Sequence, residues 1–149
     1  MQTVQDVIEQ QVTIVGSRER VWAALTKAEQ FRAWFSSGDC TVDLRVGGLI
    51  QFAWDGGTSR AIVVSIDEPH RLAWSWVPGN LELPDQPLEG QPMTMVEFTL
   101  DESDDGRTLV TCRETGFAAL SDADRERAYP MNVDGWTEQL ANLRAHVES

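Results

Sequence analysis

Apolar residues recur along this chain with two periods, and the switches between them mark its elements. From Val7 to Val15 the apolar positions Val7, Ile8, Val12, Ile14 and Val15 sit among polar ones, alternating most regularly from Val12 onward, which predicts a first strand. Gly16 interrupts it and Ser17 is placed as the N-cap of a helix. Over Arg18 to Thr26, Val21, Trp22 and Leu25 share one helical face. A second short helix, about Ala28 to Phe35, carries Phe31, Trp34 and Phe35 at spacings of three and four, and Ser36-Ser37-Gly38 closes it.

The period then becomes two. Cys40 to Leu44 reads as a short strand, followed by a turn or bulge at Gly47-Gly48. Leu49 to Trp54 puts Ile50, Phe52 and Trp54 on one face, and Asp55-Gly56-Gly57 signals a hairpin. The returning strand, Ser59 to Ile66, is expected to present Ile62, Val64 and Ile66 together. After a turn at Asp67-Glu68-Pro69, Arg71 to Val77 aligns Leu72, Trp74 and Trp76. Pro78 to Pro92 holds four prolines and two glycines, a density that strands do not tolerate, so it reads as a long loop. Met93 to Leu100 aligns Val96, Phe98 and Leu100. Past a turn at Asp104-Asp105-Gly106, Thr108 to Thr115 aligns Val110, Cys112 and Glu114.

The last segment is helical. Ser121-Asp122-Ala123-Asp124 resembles a capping box, Pro130 predicts a break or kink near Tyr129, and Val133, Trp136, Leu140, Leu143 and Val147 form one apolar stripe. An antiparallel sheet of seven strands needs one face covered, and the only large cover in the chain is this helix. The expected fold is therefore α+β: a curved seven-stranded antiparallel sheet around a long C-terminal helix, with two short helices after the first strand. Strand parity gathers the Asp55-Gly57 turn, the Pro78-Pro92 loop and the Gly116-Leu120 exit at one end, where the long loop would rim or lid an interior space.

Length and charge narrow the function. At 149 residues the chain is one domain, 1–149, large enough for a single core. A net charge of -12 disfavours nucleic acid and anionic membrane surfaces as partners. The N-terminus lacks a basic region followed by an apolar run, and no apolar stretch is long enough to span a bilayer. Cys40 and Cys112 lie outside any C-x-x-C pattern, so the chain reads as a reduced, cytoplasmic protein.

Six tryptophans set the candidate chemistry. They either fill the core or line an aromatic cavity between sheet and helix. The expected lining is Phe52, Trp54, Trp74, Trp76, Val96 and Phe98 from the sheet and Val133, Trp136 and Leu140 from the last helix. Phe31, Trp34, Phe35, Cys112 and Glu114 complete the set. Indole N–H groups of Trp74, Trp76 or Trp136 would orient a ligand. Glu114 has two readings. It points inward as an acid, a base or a polar anchor, or it sits at the rim, solvated or paired with Arg113, Arg60 or Arg71. His70 and His146 have no partner at ligand spacing, so no metal is expected. Cys112 has no adjacent base and reads as a small buried hydrophobe. The chain carries no phosphate loop, nucleophile elbow or dinucleotide fingerprint, and no cofactor is expected.

Several stretches together resemble the START-like (SRPBCC) superfamily with its helix-grip fold, and within it the homologues of the activator of heat-shock-protein-90 ATPase. They are Ser17-Arg-Glu-Arg-Val-Trp-Ala-Ala-Leu-Thr, Phe31-Arg-Ala-Trp-Phe, Arg45-Val-Gly-Gly, Asp67-Glu-Pro-His-Arg-Leu-Ala-Trp-Ser-Trp, Thr115-Gly-Phe and Gly135-Trp, and the resemblance runs from about Val12 to Val147. It implies a hollow interior that takes an apolar or amphipathic molecule, in a superfamily of carriers, cyclases, hydrolases and protein-binding modules. The first reading is a non-enzymatic binder of a hydrophobic or aromatic small molecule. The alternatives are a cyclase- or hydrolase-type enzyme using Glu114, and a chaperone-linked interaction module. The family name implies a chaperone partner, whereas the chain itself has room for the single domain. Edge strands would also permit a homodimer.

Overall fold

The computed structural model describes residues 6–35, 38–54 and 57–149. Its elements are β1 (Ile8–Val15), α1 (Arg18–Thr26), α2 (Ala28–Trp34), β2 (Cys40–Val42), β3 (Leu49–Trp54), β4 (Gly57–Asp67), β5 (Arg71–Trp76), β6 (Thr94–Glu102), β7 (Arg107–Thr115) and α3 (Asp122–Glu148). The strands form one antiparallel sheet in the order β1-β7-β6-β5-β4-β3-β2, with the register running through β1 back to β7. This is the curved sheet and long C-terminal helix of the helix-grip fold. The turn residues Asp55, Gly56, Ser36 and Ser37 lie outside the described residues.

Local chemistry sets the helix starts. Ser17 Oγ accepts from the Arg20 N–H at 3.2 Å, and Ser121 Oγ accepts from the Asp124 N–H at 3.2 Å, each satisfying an amide that the first turn leaves open. Asp122 and Asp124 add favourable charge at the start of α3. Lys27 is both the last cap of α1 and the first of α2, in extended backbone, so the two short helices meet at a corner.

The long helix buries Ala128, Asn132, Trp136, Leu140, Leu143 and Val147 against the sheet. Its flank is tied to β1, where Gln10 Nε2 donates to the Val133 carbonyl at 3.0 Å, and just before that strand Tyr129 Oη donates to the Val7 carbonyl at 2.9 Å. Trp74, Phe31, Phe52 and Phe98 are fully buried in the middle of the core. Among the described residues no helix is long and apolar enough to cross a membrane.

Two expectations need correction. On β4 the buried residues are Ala61 and Val63, while Ile62 is half-buried and Val64 exposed. Val63 pairs with Trp74 and Ser65 with Ala73, so Val64 is an inserted residue. One extra residue exchanges the faces on either side of it, and only beyond the bulge does Ile66 return opposite Leu72. The second concerns the break that Pro130 would make near Tyr129: the helix continues through it, from Asp122 to Glu148. Pro130 cannot donate to the Glu126 carbonyl, yet both residues are exposed, so water can take that bond.

Candidate ligand cavity

A cavity of about 450 Å³ opens where the end of the sheet meets the middle of α3. Four aromatic rings form its walls: Phe35 just after α2, Trp54 at the end of β3, Trp76 at the end of β5, and Trp136 on α3. Alternation along β3 and β5 turns Trp54 and Trp76 to the inner face, and strand direction brings both to the same end of the sheet. Thr58 and Ser59 of β4 and Gly79, Asn80, Glu82 and Pro84 of the long loop make the rim. The loop therefore rims the space, as strand parity predicts.

Two glycines shape it. Gly79 has φ +62°, and a Cβ there would lie 3.1 Å from Ala128 Cα, so glycine lets the loop backbone close onto α3. Gly135 faces the cavity from α3, and a Cβ built on it would meet nothing within 4 Å. A residue that weakens a helix interior by about 1 kcal/mol relative to alanine thus leaves the chamber wider.

Behind the wall lies Glu114, which is 0% exposed. Its Oε2 accepts from Trp76 Nε1 at 2.8 Å and from Thr94 Oγ1 at 2.5 Å, and its Oε1 accepts from Trp136 Nε1 at 2.8 Å. Asn132 Nδ2 donates to both oxygens, at 2.9 and 3.1 Å, while Asn132 Oδ1 takes the Gly79 N–H at 3.2 Å. Both oxygens are engaged only by donors, the arrangement that a desolvated carboxylate requires. The partnering considered for a rim position is not found. Arg71 pairs with Glu97, Arg113 with Glu9, and Arg60 with Glu82. The two indoles that Glu114 holds lie stacked, centroids 5.7 Å apart at 28°.

Among the residues expected from sequence to form the site, Phe35, Trp54, Trp76 and Trp136 line the cavity. Phe31, Trp34, Phe52, Trp74, Val96, Phe98, Cys112 and Leu140 are buried in the core beneath it, and Val133 is half-buried on the flank of α3 that faces β1. Rings at the middle of the sheet fill the space between sheet and helix, so the chamber is confined to the loop end. The indole N–H groups of Trp76 and Trp136 are spent on Glu114, and that of Trp74 is buried without an acceptor among the described residues. Cys112, next but one to Glu114, is a free thiol whose pKa is raised well above its ordinary value, first by burial and then by the Glu114 charge. Among the described residues no three His, Cys, Asp or Glu side chains gather as a metal would require.

Sequence reasoning missed Asn132, Gly135 and Glu82. Asn132 sits four residues before Trp136, on the same helical face, and that polar residue within a buried stripe was the available signal. Glu82 had none, since a loop sequence does not say where its side chains dock. It is clamped by Arg60, whose backbone N–H reaches Oε1 at 3.0 Å and whose Nε reaches Oε2 at 2.8 Å. Arg60 Nη2 also donates to the Gln86 carbonyl at 2.7 Å, and the Gln91 amide bridges Leu83 and Pro87 within the loop.

Residues 16–148 match the family model described as Activator of Hsp90 ATPase homolog 1-like protein. Three solved structures superpose over nearly the whole chain. A protein from Mesorhizobium loti is 21% identical with a TM-score of 0.76, covering 95% of this chain and 96% of its own. The Aha1 dimer from Colwellia psychrerythraea is 21% identical with a TM-score of 0.75, covering 97% of each. An HSP90 activator from Plasmodium falciparum is 17% identical with a TM-score of 0.76, covering 95% of each. At these identities the likeness establishes the fold. No curated protein matches the sequence.

Proposed function

The chain belongs to the Activator of Hsp90 ATPase homolog 1-like family, and from that premise we propose that it is a binding protein for an apolar or aromatic small molecule. The observation that carries this reading is the cavity itself. It holds about 450 Å³, within the usual range for small-molecule sites, and four aromatic rings wall it. Preformed concave space with a few polar groups at its rim is what such ligands need, because ring faces supply area and rim groups supply orientation. Catalysis by Glu114 has less support, since its oxygens are taken by Trp76, Trp136, Thr94 and Asn132 and it lies behind the wall. Native mass spectrometry of freshly purified protein, set against the same sample denatured, tests the reading. A reproducible small-molecule mass present only in the native spectrum supports it. An apo spectrum, together with no change in tryptophan fluorescence on titrating aromatic compounds, would rule it out.

A second reading, a chaperone-linked module, draws on the family description and on the Plasmodium structure being an HSP90 activator. Its test is direct: purified Hsp90 either changes its ATPase rate on addition of this protein or does not. The Colwellia structure is a dimer, and in this chain the outer edges of β1 and β2 are where a second copy would pair. Light scattering would read that mass.

A further inference from the structure

We propose that the cavity selects an organic cation, an amine or quaternary ammonium group carried on an apolar body. The inference rests on the cavity being a ligand site and adds the charge of what enters it. Three observations converge. First, the walls are the rings of Phe35, Trp54, Trp76 and Trp136, and aromatic faces attract cations through their quadrupole. Second, Trp54 donates its N–H to Ser59 Oγ at 2.9 Å, while Trp76 and Trp136 donate theirs to Glu114 at 2.8 Å. With every wall indole already donating, none offers a free N–H to an anion or a carbonyl. Donation to a carboxylate also pushes electron density into an indole, which makes its face a better cation acceptor.

Third, no cation lines the cavity: among the described residues no Lys, Arg or His does so, and the one ionic side chain in the lining is Glu82. Arg60 neutralises Glu82 at 2.8 Å from outside the lining. No basic side chain among the described residues bonds to Glu114, whose oxygens are met by neutral donors with no counter-ion beside them. A chain of net charge -12 adds long-range attraction for a positive ligand.

The test is a matched series of one shape and three charges: benzyltrimethylammonium, its uncharged isostere neopentylbenzene, and benzylsulfonate, each titrated against tryptophan fluorescence and checked by calorimetry. The expected order is cation over neutral by about five- to thirty-fold, with the anion not bound. Neopentylbenzene binding as tightly as the cation would overturn the charge selection and leave the cavity reading standing. Tighter binding of benzylsulfonate would overturn the selection as well. Failure of all three would overturn both. Glu114→Gln is expected to bring the cation-to-neutral ratio towards one. Should that variant not fold, Trp54→Leu provides a second readout, losing affinity for the cation more than for the isostere, and equal losses count against the proposal.

Discussion

Trp136 on α3 donates its indole N–H to Glu114 Oε1 on β7 at 2.8 Å, and that bond fastens the long helix to the sheet at the floor of the cavity. Its partner oxygen is held by Trp76 from β5 and Thr94 from β6, so one carboxylate joins four elements. A buried carboxylate is tolerated only while its donors stay in place. Trp136→Phe keeps a ring but removes one donor, and is expected to cost about 1.5–3 kcal/mol. Glu114→Ala strands four donors at once and leaves a void, for about 3–5 kcal/mol. Urea midpoints for both variants check this. A Trp136→Phe value within 0.5 kcal/mol of wild type, at roughly the scatter of surface substitutions, would show that the network contributes little to stability.

Gly135 separates the needs of the helix from those of the cavity. Gly135→Ala places a methyl in open space on a long helix, and is expected to raise stability by about 0.5–1 kcal/mol. Gly135→Leu or Gly135→Phe would project a large side chain among the cavity rings and block any ligand seen in the native spectrum. Thermal melts and native mass spectra on the same three proteins separate the two effects. Unchanged ligand uptake in Gly135→Phe would place the ligand elsewhere.

Periodicity carried the fold because most of it is local. Ser17 and Ser121 cap where their spacing says, and Leu72, Trp74 and Trp76 face inward together. It failed where one residue breaks the count: Val64 is inserted at a bulge, and no period-two reading detects an insertion that exchanges faces. The candidate cavity was legible in its rings, with Phe35, Trp54, Trp76 and Trp136 all named from sequence. Its extent was not, since Trp74 and Phe98 stand on the same sheet face as Trp76 yet lie deeper, and packing depth is a property of the assembled fold. Alternation put Glu114 on the face of Val110 and Cys112, which left an inward and a rim reading open, and the structure buries it. Its lack of a cation was invisible, because the four neutral donors that replace one come from β5, β6 and α3.

The cavity rim depends on Arg60. That side chain holds Glu82, whose side chain is 6% exposed, together with the Leu83 and Gln86 carbonyls. Arg60→Ala removes the clasp and leaves the Glu82 carboxylate without its partner, an expected loss of about 1–3 kcal/mol. The local consequence is sharper. Cleavage by a glutamate-specific protease at Glu82 or Glu89 is expected to accelerate, because opening the loop no longer requires breaking the pair. Wild-type cleavage rates in Arg60→Ala would show that the loop is held by other means, with the Gln91 bonds the next to remove.

Cys112 gives the pH dependence a sign. Its thiol is 1% exposed, and burial first, then the Glu114 charge, raise its pKa well above the ordinary value. In the unfolded chain the same thiol ionises near about pH 8.5. Below that pH both states are protonated and the thiol contributes fully to stability. Above it the unfolded chain has lost a proton that the folded chain keeps, so stability falls as pH rises, by at most about 1.4 kcal/mol per unit for one group. Cys40 is half-buried with a pKa raised mainly by burial, and follows the same sign. Denaturation of wild type and Cys112→Ala between pH 8 and 10 isolates the effect, because other groups titrate in both proteins. The wild-type curve should fall more steeply, and parallel curves would mean that Cys112 ionises freely in the folded protein. Thiol labelling gives the independent check: at pH 8 Cys40 should react first, and Cys112 only as fast as the chain opens.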